Sequence, residues 1–378
     1  MLKVKHFGAF ALGMLMLASC ASDDIRPADE LNESLVYIEG NSSYKIHLRG
    51  HATATVTRAA IMGDESTAVL DSMGVFALAR EAQGVNEAAY DDYSWFNDER
   101  NWSFCLMDNV KATMNGGNIT WDGAYFYPIT LFYAYDFYGY YPYTQDVTRY
   151  DNSIVAHYTI DGTQDLIWGR ATSDEDYAYS AKYYRTYGGS AQDPTLDLKH
   201  LLTRLTFTIQ PGENYEGSGD YSQAETMKLK SIEICDVYTH LDVLVADRVG
   251  LEESDWSNAD HIDRLTLRDV HKDTLFLHKN DTEAIDLTQV PNHEAEPLQV
   301  GESVMLYPEA SYIIKVVLVD ENGTEHVSEI PLTLSNGGQM FARGNSYKVR
   351  IIVHGPREIS VKGSLTPWNE LDGPTLEL

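Results

Sequence analysis

Apolar and polar residues alternate one for one in several places along this chain, and that alternation limits what it can build. Residues 205–209 put Leu205, Phe207 and Ile209 on one face and Thr206 and Thr208 on the other. Residues 347–353 repeat the arrangement with Tyr347, Val349, Ile351 and Val353 inward. Ile359, Val361, Gly363 and Leu365 alternate in turn with Ser360, Lys362 and Ser364. Side chains change face at every step of a strand but recur every three to four residues on a helix, so the pattern predicts half-buried strands. Long stretches with helical spacing are absent. Residues 313–319 are nearly continuously apolar, which predicts a central strand. Asn322-Gly323 follows, then a second strand over 324–330. That order predicts a hairpin with a type I′ turn, which needs positive φ at both central residues. Asp122-Gly123, Asp161-Gly162 and Asn336-Gly337-Gly338 are further turn candidates.

Many short strands joined by polar, Gly-rich turns predict an all-β fold of sandwich type. A length of 378 residues, at roughly 150 per domain, predicts two domains. The best internal break is Gly188-Gly189-Ser190-Ala191-Gln192-Asp193-Pro194, small, polar and closed by a proline. Residues 211–220 form a second loop that reads as lying within a domain. The division expected is therefore 1–19, a leader; 20–58, an N-terminal segment with a first strand; 59–190, one sandwich; and 191–378, another.

The leader is read from Lys3 and Lys5, then an apolar or small-residue run over 7–17, then Leu17-Ala18-Ser19-Cys20. A run of that size suits a signal peptide and is too short to span a bilayer. The tetrapeptide resembles the bacterial lipobox, which predicts acylation of Cys20 and anchoring by lipid alone. Asp23, Asp24, Asp29 and Glu30 follow closely. They read equally as a solvated linker or as an export signal of surface lipoproteins. With Cys20 lipidated, Cys105 and Cys235 remain; Cys235 sits in a strand-like setting that suits a buried free thiol.

Lys and Arg number 28 against 57 Asp and Glu, for a formal charge of −29. Nucleic-acid binding needs a basic footprint, so that class is excluded, and an electrostatic hold on anionic lipid is disfavoured. No metal site is expected, because the twelve His do not group: His271 and His278 have no further ligand at metal spacing. Gly217-Ser218-Gly219 is not a nucleophile elbow, and no phosphate- or dinucleotide-binding loop occurs. The acidic pairs and triplets Asp91-Asp92 and Asp174-Glu175-Asp176 lack the Gly and Glu of a calcium loop. No catalytic residue, cofactor or enzymatic activity is expected.

The sharpest local feature is aromatic: residues 125–143 hold eight Tyr and three Phe. One reading makes this a stacking platform for sugar rings, with Tyr138, Tyr140, Tyr141 and Tyr143 as contact residues on a monomeric surface glycan-binding lipoprotein. The other, which we weight more heavily, makes it a core strand with Leu131, Tyr133 and Tyr135 on one face and Phe132 and Ala134 on the other.

Several segments, taken in order, resemble the fimbrillin-like (Mfa-like) family of Bacteroidales surface lipoproteins. They are the lipobox at Cys20, Thr57-Arg58-Ala59, Met73-Gly74-Val75-Phe76-Ala77 and Tyr127-Pro128-Ile129 before Leu131-Phe132-Tyr133-Ala134-Tyr135. Then follow Leu198-Lys199-His200-Leu201-Leu202-Thr203-Arg204-Leu205-Thr206-Phe207, Gly344-Asn345-Ser346-Tyr347 and Thr366-Pro367-Trp368-Asn369. Asp136-Phe137-Tyr138-Gly139 departs from the pattern and reads as an insertion. The resemblance implies two tandem transthyretin-like β-sandwich domains and a structural subunit of a cell-surface pilus, a tip or accessory adhesin among the roles. It implies an outer-membrane lipoprotein held through Cys20, other pilus subunits as partners in a homo- or hetero-polymer, and a host or bacterial surface ligand. It also implies cleavage after a basic residue near the N-terminus, loss of the first strand, and its replacement by a strand from a neighbour. Arg58 is the residue that matches, placing cleavage between Arg58 and Ala59, with residues 51–57 as the expendable strand. Residues 359–365 alternate as a donated strand would, but Pro367 and Trp368 read as a corner that locks them into their own sandwich.

Overall fold

The computed structural model describes residues 45–52, 69–80, 105–128, 134–150, 153–171, 173, 178–214, 219–247, 256–266, 287–334, 340–356 and 358–366. The first strands are β1 (Leu48–Ala52), β2 (Val69–Arg80), β3 (Cys105–Asn115), β4 (Asn118–Trp121), β5 (Ala134–Tyr141) and β6 (Val147–Arg149). Next come β7 (Ser153–Thr159), β8 (Ile167–Ala171), β9 (Thr195–His200), β10 (Thr203–Pro211), β11 (Lys228–Asp247) and β12 (Trp256–Thr266). The last are β13 (Thr288–Gln289), β14 (Leu298–Leu306), β15 (Ser311–Val319), β16 (Glu325–Thr333), β17 (Ser346–Gly355) and β18 (Glu358–Thr366). Among the described residues two short α-helices interrupt them, α1 (Ala181–Tyr187) and α2 (Ser222–Glu225). Neither was foreseen. α1 starts where the Ser180 side chain accepts the Tyr183 N–H, the usual satisfaction of a free helix-end donor.

Seven strands close into a barrel in the order β1-β4-β3-β2-β5-β8-β9, and β9 returns to β1. Its neighbours are antiparallel except at that closing pair, where β1 and β9 run parallel. The chain is all-β as expected, but its N-terminal half holds a closed sheet where an open sandwich was expected. β1 closes it by pairing with the two sheet edges left by β4 and β9. Ile46, Leu48, Met73, Val75, Met114, Ile119, Phe137, Leu196 and Leu198 belong to its core.

A second core lies between a four-stranded sheet, β14-β10-β17-β18, and the β16-β15-β11 part of a seven-stranded sheet. The alternation in the sequence is what fills it. Leu205, Phe207 and Ile209 from β10 and Tyr347, Val349, Ile351 and Val353 from β17 meet Ile314, Val316 and Leu318 from β15. β15 is central, between β11 and β16, as its apolar run predicts.

β11 belongs to both cores. Leu229, Ile232, Ile234 and Val237 pack in the second, whereas Leu241, Val243, Val245 and Ala246 pack in the first. Along one stretch it pairs with β15, and further on, from His240 to Asp247, with β7. Asp236, at φ 57°, marks the irregular register between the two stretches. The expected division at 190/191 therefore does not separate the cores, since β9 and the end of β11 both lie beyond it and build the first. A loop rich in Gly and Pro records an exposed turn, and here it records the end of α1 rather than a linker.

Two further readings are corrected. Asp136-Phe137-Tyr138-Gly139 lies not in a loop but in the middle of β5, paired to β2 on one side and β8 on the other. The β15–β16 hairpin is present, but its turn is not type I′. Gly323 has φ 79° whereas Asn322 is not at positive φ, and the Gly323 N–H donates to the Asp320 carbonyl at 3.0 Å. Asp320 explains the choice: its carboxylate accepts the N–H groups of Asn322 and Thr324, both at 2.9 Å, which folds a longer loop around one side chain. Asn336-Gly337-Gly338 lies outside the described residues.

Candidate assembly site

β1 is the one strand of the barrel that precedes Arg58. Around it Ile46 and Leu48 are buried, 1% and 3% exposed, while His47, Arg49 and His51 face out. The Ile46, Arg49 and Gly50 N–H groups donate to the carbonyls of Tyr125, Pro194 and Gly117 at 2.9, 2.9 and 3.0 Å. Two residues of β1 stand in register with β4 and four with β9. Arg49 lies 3.8 Å from Asp193, an exposed pair that adds little to stability. β1 overlaps the expected strand, 51–57, only at His51 and Ala52, and begins earlier, at Leu48. Burial of Ile46 and Leu48 contributes about 1.5–3 kcal/mol each relative to exposure. Residues 53–57, Arg58, Ala59 and Cys20 lie outside the described residues.

At the other end, β18 pairs antiparallel with β17 from Ser346↔Thr366 to Gly355↔Glu358 and forms the edge of its sheet. Ile359 and Val361 pack partly buried against the second core. Pro367 and Trp368 lie outside the described residues.

The aromatic segment is divided by depth. Tyr138 and Tyr140 are each 1% exposed, so neither presents a ring face to a ligand. Tyr140 stacks on Phe76 at 6.2 Å and donates its hydroxyl to Asn109 Oδ1 at 2.6 Å. Burial pushes its phenol above the ordinary range, which keeps it neutral. Tyr135 and Phe137 face the other way, where both pack beside Tyr127. β5 is covered on both faces, and that explains why aromatic residues fill both of its alternating sets, with Asp136 the charged exception. Tyr141 and Tyr143 are half-buried, with Lys111 over the Tyr143 ring at 5.6 Å.

Two close side-chain pairs lie at the barrel wall. Arg170 meets Asp136 at 2.5 Å and lies over the Tyr138 ring, and His200 meets Asp165 at 2.6 Å with both side chains buried. Composition did not reveal a line of side chains across three strands, Thr148 to His157 at 2.8 Å and His157 to Asp242 at 2.6 Å. His157 and Asp242 stand directly opposite in the β7–β11 ladder. A hydroxyl–imidazole–carboxylate order invites comparison with a hydrolase, but here it spans neighbouring strands as a cross-strand tie. No group of three or more His, Cys, Asp and Glu among the described residues could hold a metal ion. No described helix is long and apolar enough to cross a membrane. Cys105 and Cys235 are buried, and neither is in a disulfide.

The sequence model of the fimbrillin-like family matches residues 57–368, and the chain belongs to that family. Among solved structures it is similar to a fimbrial protein from Bacteroides vulgatus, at 14% identity and a TM-score of 0.46, covering 86% of this chain and 99% of that one. It is also similar to the fimbrial anchor protein Mfa2 from Porphyromonas gingivalis, at 9% identity and a TM-score of 0.35, covering 85% and 98%. The comparison with curated proteins returns no match. Family membership makes the chain a fimbrial or adhesion-type subunit.

Proposed function

We propose that the chain is a non-catalytic structural subunit of a cell-surface pilus, at the tip or as an accessory adhesin. In this reading it is lipidated at Cys20, carried to the outer membrane, cleaved between Arg58 and Ala59, and joined to its neighbours by strand addition. The observation that carries the reading is the position of β1: it lies N-terminal to that bond and closes the barrel between β4 and β9. Cleavage would disconnect β1 from the sheet that holds it. Its departure would leave the β4 and β9 edges with unpaired backbone groups and uncover Met114, Ile119 and Leu198. A strand from another subunit satisfies both deficits at once.

The test treats the purified protein with an arginine-specific protease and examines it by electrophoresis without boiling. A ladder of SDS-resistant species that is lost in Arg58→Ala supports the proposal. A cleaved protein that stays monomeric refutes it.

A further inference from the structure

In a chain of 57 acidic and 28 basic residues, β14, β10 and β17 reverse the balance: Arg204, Lys348 and Arg350 stand against one carboxylate, Glu302. The alternation that buries Leu205, Phe207, Ile209, Val349 and Ile351 in the second core turns Thr206, Thr208, Lys348 and Arg350 to the outer face of this sheet. Thr206 stands opposite Lys348 in the ladder, and Thr208 stands opposite both Arg350 and Gln299. Ser303 Oγ lies 2.8 Å from Thr206 Oγ1. One end of the face is closed by the barrel. There Met305 joins the first core, its N–H donates to the Gly162 carbonyl at 2.8 Å, and buried Arg204 donates from Nε to Ser346 Oγ at 2.9 Å.

Two groups in one row of this face have nothing to bind. On the opposing sheet Lys230 meets Glu325 and Lys315 meets Glu233, and near the barrel Arg149 meets Asp108. Half-buried Arg350 makes no ion pair or hydrogen bond with a described residue. Beside it the Thr208 hydroxyl, in a residue 6% exposed, has no hydrogen-bond partner among the described residues. A buried hydroxyl left unpaired costs stability, and a ligand that reaches it recovers that cost. A guanidinium fork suits carboxylate and sulfate, while hydroxyls and amides suit sugar hydroxyls. A peptide would instead need apolar pockets to anchor its side chains.

We propose that the outer face of β14, β10 and β17 binds an anionic polysaccharide. Arg350 and Lys348 take its carboxylate or sulfate groups, and Thr206, Ser303 and Gln299 take its sugar hydroxyls. As the Arg350 side chain lifts toward the ligand, Thr208 gains the partner it lacks in the free protein. The inference rests on the adhesin part of the proposed function and gives it a ligand class, but it needs neither cleavage nor strand addition. At a formal charge of −29 the chain as a whole repels polyanions, so retention of one reports a local site.

The test passes the uncleaved full chain, as Cys20→Ser, over immobilised heparin, polygalacturonate, polyglutamate and neutral dextran, and reads Kd by surface plasmon resonance. We expect binding to heparin, to polygalacturonate or to both, and little to the other two; one alone shows whether sulfate or carboxylate is read. Arg350→Gln and Lys348→Gln should each raise Kd roughly tenfold, whereas Lys230→Gln on the opposing sheet should leave it unchanged. Thr208→Val should raise Kd without lowering the urea midpoint, because its hydroxyl has no partner to lose in the fold. If Arg350→Gln lowers that midpoint, exposed Lys348→Gln carries the comparison. Equal binding of polyglutamate overturns the sugar as ligand, and an equal loss in Lys230→Gln overturns the site. Binding of neither anionic polysaccharide overturns the inference and leaves strand addition standing, since the SDS-resistant ladder is read separately.

Discussion

Trp168 Nε1 donates to the Val245 carbonyl at 2.7 Å, joining barrel strand β8 to the strand that serves both cores. The indole is 2% exposed and Val245 is fully buried. Because β11 continues from this contact into the second core, it ties the barrel to that core mechanically. Trp168→Phe removes the donor, leaves a buried acceptor and opens space. A loss of about 1–3 kcal/mol follows from the unpaired carbonyl alone. Urea denaturation should show one cooperative transition shifted to lower midpoint. Two transitions, only one of them shifted, would mean that β11 does not couple the cores.

Gly74 lies beneath the ring of Tyr140, its register partner across the β2–β5 ladder. A Cβ at Gly74 would fall 2.2 Å from Tyr140 Cε1, and the ring is held in place by Asn109, by the Thr144 carbonyl at 3.0 Å and by Phe76. Gly74→Val should therefore destabilise by about 1–3 kcal/mol or more, since a packed ring has nowhere to retreat. Thermal melts with near-ultraviolet circular dichroism check it: the tyrosine signal should weaken with the midpoint.

The Asp320 carboxylate is held below its ordinary value of 3.8, first by the Thr324 backbone N–H and then by His326. A carboxylate depressed in the folded state contributes stability above its unfolded pKa and loses it as pH falls through the folded value. The β15–β16 hairpin should thus keep its protection above about pH 5 and lose it progressively below the ordinary aspartate range. Hydrogen exchange of the turn amides across that range measures the effect. Asp320→Ala should expose the Asn322 and Thr324 amides at every pH.

Burial first, and then the charge of Asp108, push the Cys105 thiol well above its usual range, against the opposing pull of Arg149. Cys235 is buried as well. In a Cys20→Ser background the folded protein should resist a thiol reagent at neutral pH, and denaturant should reveal both thiols. Reaction of either in the folded state would contradict this packing.

Strands whose alternation is set by a single buried face were legible in the sequence. β10, β15, β17 and β18 all lie where residues 205–209, 313–319, 347–353 and 359–365 predict. The hairpin after Val319 was legible as a hairpin but not as a turn type, because the side chain of Asp320 competes with the Asn-Gly preference. β11 was not legible as one strand of twenty residues, since Asp236 interrupts its pattern between two different partners. Barrel closure was not legible either: it depends on which edges β1 meets, and no local pattern records that. At the candidate site, β1 overlaps the alternating segment 51–57 only at His51 and Ala52, and its earlier part was not legible because Gly50 breaks the aliphatic series that begins at Ile46. The core-strand reading of the aromatic segment was drawn on residues 131–135, of which 131–133 lie outside the described residues; the strand described is β5, from Ala134 to Tyr141, and burial of Tyr138 and Tyr140 follows from cover on both its faces.

The central claim is that β1 leaves when the subunit assembles, and the most direct measurement is the N-terminal sequence of subunits recovered from assembled fimbriae. The account predicts chains that begin at Ala59, with the peptide 45–52 absent from their digest. Assembled subunits that retain residues 45–52 on the same chain would contradict it.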